Sequence, residues 1–182
     1  MSVWWSGAWL IILTFKYMEK VFLPIILGTN RQGRQSEHVA KFVYAEMQKR
    51  DDLTTEFIDV RDFDLPHDNY GRALKDKFPK FKETVIKADG LVLVVPEYNH
   101  SFPGILKSVL DLLLAEYRHK AVGVAGVSAG PWGGVRMIES ILPFFRNLGL
   151  VMSSIDLQFP NVQQLFDEKG DMTQENQKEF SL

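Results

Sequence analysis

The sequence GTNRQGRQS over residues 28–36 gathers two glycines, two arginines, a threonine and a serine directly behind an apolar run, VFLPIIL, over 21–27. Glycines that let the backbone turn, followed by hydroxyls and guanidinium groups, are the chemistry of a phosphate cradle at the start of a helix. The spacing decides which phosphate. A triphosphate loop needs GxxxxGK and then Ser or Thr, the Lys reaching the outer phosphates and the hydroxyl holding Mg²⁺. Gly28 and Gly33 have that separation, but Arg34 and Gln35 stand where the Lys and the hydroxyl are required. A dinucleotide loop needs GxGxxG, and Asn30 takes the place of its second glycine. A single terminal monophosphate suits what remains. Such a group carries about −1.5 to −2 charges. Hydrogen bonds involving a charged group contribute roughly 1.5–3 kcal/mol each, against ~0.3–1 kcal/mol from an exposed helix terminus. Directed donors therefore dominate: hydroxyls from Thr29 and Ser36, the planar N–H fork of Arg31, and the amides of the turn. Taken alone, the stretch also reads as a glycine turn with an ordinary helix cap at Ser36.

Two further segments carry distinctive chemistry. In PEYNHSFPGILK over 96–107, Pro96 closes a strand, and Ser101 or Phe102 caps a helix with Pro103 in its first turn. The loop between them offers Tyr98 as a flat wall, and Asn99 and the loop amides as donors and acceptors for a heterocycle edge. In GVSAGPWGGVR over 126–136, glycines allow close backbone approach to a ring. Other candidates read more simply. Glu97 suits a loop-fixing carboxylate better than a general base, and Lys107 with Asp111 a surface pair at i,i+4. The DEKGD run over 167–171 misses the spacing of a calcium loop and suits a β-turn. The four histidines, His38, His67, His100 and His119, lack metal-ligand spacing, and no metal is expected.

Residues of this kind must be positioned by a scaffold, and the pattern supplies one. Apolar β-branched runs over 21–27, 54–60, 91–95, 121–127 and 150–155 read as five strands. Amphipathic stretches between them read as helices: one with Val39, Phe42, Val43 and Met47 on its apolar face, one with Phe81, Val85 and Ala88, one over 104–115, and one over 135–148 containing Pro143. Alternating strands and helices make a doubly wound α/β domain, whose ligands bind beyond the carboxyl ends of the strands. With order 2-1-3-4-5, the segments after the first, third and fourth strands converge there.

Composition sets the outer bounds. A chain of 182 residues, 46% hydrophobic and 24% charged with a net charge of −2, is most simply one globular domain without a basic field for nucleic acid. It contains no cysteine, hence no disulfide, thiolate site or cysteine nucleophile, as suits a cytoplasmic location. Residues 1–17 are apolar but too short to span a bilayer and lack the marks of a signal peptide, so they are expected to be an extension ahead of a domain over 18–182. No stable membrane association is expected.

The three segments, in this order and on these elements, resemble the NADPH-dependent FMN reductase family of flavodoxin-like proteins, from about Val21 to Asp171. The resemblance implies bound FMN, reduction by NADPH or NADH, and reoxidation by free flavin, quinones, azo compounds or metal oxyanions. It further implies a homodimer or homotetramer, to which the apolar run VLDLLLAEY over 109–117 would contribute surface. By position, Thr29, Arg31 and Ser36 match the phosphate site, Pro96, Glu97, Tyr98 and Asn99 the isoalloxazine edge, and Ser128 with Gly130 the third wall. The loop departs from many relatives in having Arg34, Gln35 and Glu37 where they carry a further Ser and Asn, and against the same relatives the last helix is expected to be short. No catalytic side chain is assigned, since flavin performs hydride chemistry without a protein acid or base. A non-enzymatic FMN electron carrier is the alternative, and a nucleotide hydrolase is disfavoured by the missing Lys and Mg²⁺ ligand.

Overall fold

Pro24 divides the first apolar run, because it has no N–H for a strand ladder. In the computed structural model, which describes residues 20–66, 69 and 71–180, that run becomes β1 (Val21–Phe22) and β2 (Ile25–Leu27). The second expected strand is likewise β3 (Leu53–Thr54) and β4 (Phe57–Asp59). The third and fourth are continuous as β5 (Gly90–Pro96) and β6 (Ala121–Val127), and the last is split into β7 (Val151–Met152) and β8 (Leu157–Phe159). Five expected strands are thus corrected to eight segments, all paired in parallel. The main sheet follows the path β4-β2-β5-β6-β7, with β8 on β6 beyond the short β7, while β1 and β3 form a separate pair. In terms of the expected strands this path runs second, first, third, fourth, fifth, and it departs from a simple ribbon only at the split ends. The apolar leader and His67 lie outside the described residues.

Helices cover both faces. Successive residues of a strand point to opposite sides, and Ile26 faces one core while Ile25 and Leu27 face the other. On the Ile26 side pack α2 (Pro79–Lys87) through Phe81 and Val85, α3 (Gly104–Leu110) through Leu106 and Val109, and α4 (Val135–Leu148) through Met137 and Ile141. On the other side lies α1 (Ser36–Gln48), with Val39, Ala40, Val43 and Met47 inward. Each such apolar side chain contributes about 1.5–3 kcal/mol by leaving water. A short α5 (Gln174–Phe180) follows a turn in which Asp167 Oδ1 accepts from the amides of Lys169 (2.9 Å) and Asp171 (3.0 Å), the expected β-turn region.

Two expectations around α3 are corrected. The helix stops at Leu110 rather than continuing to 115, and its N-cap position is Pro103 rather than Ser101 or Phe102. The apolar run behind it turns inward: Leu112, Leu113 and Tyr117 are 0%, 2% and 0% exposed. Most of its apolar side chains join the core of this chain, while Ala115 is exposed and Leu114 half-buried. Among the described residues, no helix is long and apolar enough to cross a membrane.

Candidate functional site

The site is built where β2, β5 and β6 end side by side. Gly28 leaves β2 pressed against β5, its amide donating to the Val94 carbonyl at 2.8 Å; a Cβ there would come within 3.0 Å of Leu106. Gly33 then takes φ +64°, the left-handed region open to glycine. The loop is held from behind by two arginines. Arg34, 2% exposed along its side chain, donates to the Thr29 carbonyl, pairs with both oxygens of Asp59 and reaches Glu37 Oε2 at 3.3 Å. Arg61 donates to the carbonyls of Asn30 (3.3 Å) and Arg31 (2.5 Å). Carbonyls drawn backwards turn the amides that follow them the other way, since each trans peptide is planar.

The electrostatics follow from this network. Burial pulls the Arg34 guanidinium down, but its bonds to Asp59 and Glu37 and their charges raise it overall. Burial pushes the Asp59 carboxyl up, and the bonds from Arg34 and the Arg61 amide, with both guanidinium charges, outweigh it and hold Asp59 below the ordinary value.

Against this frame, Arg31 and Ser36 are uncommitted. Arg31 is exposed, its guanidinium carbon 6.0 Å from the centre of the Tyr98 ring, and it makes no ion pair among the described residues. Ser36 opens α1, but the N-cap position belongs to Gln35, so the hydroxyl caps nothing. Ser36 Oγ is buried without a hydrogen-bond partner. A buried hydroxyl left unpaired costs about 1–3 kcal/mol.

The second loop is a hairpin closed on itself. Tyr98 and Ser101 exchange backbone bonds of 2.8 and 3.0 Å, with Asn99 and His100 between them at φ +50° and +64°. This is the left-handed pair a tight two-residue turn requires, and Asn tolerates it better than most residues. Asn99 is exposed at the tip. The Glu97 amide is held by the Val127 carbonyl at 2.8 Å, so with Tyr98 also occupied, two of the amides expected to serve a ring edge are taken. The Tyr98 hydroxyl lies 3.0 Å from Thr29 Oγ1 and ties this loop to the first. The Glu97 carboxylate is 5% exposed and takes bonds from Arg136 Nε (2.8 Å) and Nη2 (2.6 Å), both at Oε1.

In the third loop the glycines pack on the protein itself. A Cβ on Gly126 would sit 2.6 Å from the Gly133 carbonyl, and Gly134, at φ +85°, would meet the Val127 amide at 2.8 Å. Of the loop's glycines, Gly130 alone has open space around its Cα. Ser128 turns its hydroxyl onto the Gly130 carbonyl at 2.7 Å.

A cleft of about 270 Å³ joins the three loops. Of the residues singled out from sequence, Arg31, Ser36, Pro96, Glu97, Tyr98 and Ser128 line it. Thr29 stands behind Tyr98, and Asn99 and Gly130 do not line the cleft. Beyond Tyr98 a second hollow of about 590 Å³ is walled by Asn30, Leu65, Pro66, Pro103 and Ile105. Sequence reasoning missed Arg34, Asp59, Arg61 and Arg136, and also Val162 and Gln163, which enter the cleft from behind β8. The available signal was a carboxylate, Asp59, at the carboxyl end of a half-buried outer strand.

The chain is similar in sequence and fold to known proteins. The model of the NADPH-dependent FMN reductase family matches residues 23–164. An NADPH azoreductase from Bacillus sp. is 34% identical over 122 residues, which cover 65% of this chain and 65% of that protein's length, just under two thirds. A 2-hydroxy-1,4-benzoquinone reductase from Burkholderia sp. is 25% identical over 164 residues, 87% of this chain and 88% of the relative. Among solved structures, the flavoenzyme NAD(P)H:(acceptor) oxidoreductase FerB from Paracoccus denitrificans superposes with a TM-score of 0.71 over 88% of this chain and 90% of its own, at 22% identity. That likeness shows the shared fold.

Proposed function

Because the chain belongs to the NADPH-dependent FMN reductase family, a family of oxidoreductases, we propose that it holds FMN in the cleft between the three loops and carries electrons from NADPH or NADH to a small acceptor: flavin, quinone, azo compound or metal oxyanion. The observation that supports this most is the buried, partnerless Ser36 hydroxyl beside the uncommitted Arg31 guanidinium. Together they offer an O–H and a fork of N–H groups to one terminal phosphate, while Arg34 and Arg61 keep the loop carbonyls turned away from its charge.

FMN supplies the hydride acceptance and the onward electron transfer. The protein's part is to bind, orient and exclude water. Tyr98 offers its ring at the border between the cleft and the wider hollow, Pro96 stiffens the turn beneath it, and Ser128 belongs to the opposite wall. A reading as a non-enzymatic electron carrier has no specific feature in its favour.

A nicotinamide donor and a flat acceptor such as a quinone would use one accessible ring face in turn. Steady-state turnover is therefore expected to be ping-pong, with double-reciprocal plots against NADPH that stay parallel as a quinone is varied. Plots that intersect would point to a ternary complex and contradict a single shared face.

A further inference from the structure

The geometry points to a second binding site, at the outer edge of the sheet, for a small aromatic molecule that carries both an ammonium and a carboxylate, as a free aromatic amino acid does. It does not depend on the reading of the cleft as an FMN site. A hollow of about 260 Å³ opens between β4 and α2 and shares no lining residue with the cleft. Phe63, Phe78 and Phe81 wall it, with Ile58 on the strand side. Phe63 lies 5.0 Å from Phe78, tilted by 34°, and 5.2 Å from Phe81, nearly edge-on at 88°. Both spacings fall within the ~4.5–7 Å over which aromatic rings pair. Phe81 is buried, but Phe63 and Phe78 are only half-buried, so the cluster keeps ring surface in contact with water. A further ring entering the hollow covers that surface.

Size and polarity limit what can enter. Sites for drug-sized ligands run to ~300–1,000 Å³, so a flavin or a dinucleotide is too large here and a single ring with a short head suits. The inner polar side chains satisfy one another: Glu56 accepts from Thr84 Oγ1 at Oε2 (3.1 Å) and from Lys80 Nζ at Oε1 (2.9 Å). The part of a ligand that enters must therefore be apolar. With Lys80 neutralised by Glu56, the lining keeps one further cation, Lys77, and one further anion, Asp62. Both residues are exposed, and neither makes a hydrogen bond or ion pair among the described residues. Asp62 ends the turn over Val60–Asp62 and Lys77 the turn over Gly71–Lys77, so the two charges reach the hollow from separate elements. An aromatic slot with one free ammonium and one free carboxylate is complementary to a ring bearing the opposite pair. An aromatic acid or an aromatic amine alone leaves one of the two unmatched.

Calorimetric titration of the full chain with L-phenylalanine, with 3-phenylpropanoate, which lacks the ammonium, and with phenethylamine, which lacks the carboxylate, tests this. Phenylalanine is expected to bind saturably at one site, and each analogue roughly two- to fivefold more weakly, the size of a solvent-exposed ion pair. Lys77→Ala is expected to weaken phenylalanine and phenylpropanoate but not phenethylamine, and Asp62→Asn to weaken phenylalanine and phenethylamine but not phenylpropanoate. Both positions are exposed, so the fold tolerates either change. No saturable binding of phenylalanine, equal affinity for the three ligands, or variants that weaken all three alike would each overturn the proposal. So would displacement of phenylalanine by saturating FMN, which would place it in the cleft. If FMN does not bind at all, the FMN reading fails, while the charge pattern of the two variants still decides this one.

Discussion

Arg31 and Arg34 lie three residues apart in one loop and do opposite work. Arg34 is 2% exposed and committed to Asp59, Glu37 and the Thr29 carbonyl; Arg31 is exposed and uncommitted. A phosphate should therefore depend on Arg31. Replacing Arg31 with Ala is expected to weaken FMN by on the order of 10- to 150-fold, because it removes charge-assisted hydrogen bonding of roughly 1.5–3 kcal/mol, and to leave riboflavin nearly unaffected. Titrating both ligands checks this, and equal weakening would mean that Arg31 acts through the fold. At this scale much is legible from sequence: hydroxyls and guanidiniums after a glycine state their chemistry by type. Which of them is free is not legible. Arg34 reads as an intruder because its partner, Asp59, is distant in sequence, and Glu97 reads ambiguously because Arg136 reaches it across 39 residues. Ser36 passes for a cap until the structure places Gln35 at that position.

The ion pair of Arg34 and Asp59 also joins two elements, fastening the phosphate loop to the end of β4. Asp59 is held below its ordinary value, so its stabilisation is complete above ~3.9 and disappears as pH falls through the depressed value. Replacing Asp59 with Asn removes the two-point partner of the buried Arg34 guanidinium and leaves Glu37 as its one carboxylate contact, at a cost below the about 3–5 kcal/mol of a buried charge stripped of its partner. The stability gap between wild type and Asp59→Asn is expected to narrow as pH drops from ~4 towards ~2. Urea unfolding at stepped pH measures it, and a constant gap would show that the pair does not hold the loop. Element types are readable from apolar periodicity, and their continuity is not. Pro24 splits the first strand, and 153–156 separate β7 from β8. The run after α3 is rich in apolar residues, so periodicity does not distinguish a longer helix from the tight turns that are observed, with Leu112, Leu113 and Tyr117 buried.

For the whole molecule, the strand path that sequence suggests brings three separate loops to one edge, and that convergence makes a site of them. The association state is another matter. With Val109, Leu110, Leu112, Leu113 and Tyr117 buried inside the chain, the expected homodimer or homotetramer rests on family likeness, together with the outermost strand β7, where Val151 is 59% exposed, and nearby Ile155 at 73%. Light scattering at micromolar concentration is expected to find at least twice the chain mass of 20.9 kDa, and a sole species at that mass would contradict it. The central claim, that the cleft holds FMN reducible by a nicotinamide donor, is tested most directly by the visible spectrum of protein loaded with FMN, recorded anaerobically before and after NADPH or NADH. The expected result is a yellow flavin band that stays with the protein through gel filtration, bleaches with the donor alone and returns on adding a quinone. A band that is retained but that neither donor bleaches would return the protein to the role of electron carrier, and failure to retain FMN at all would contradict the claim at its base.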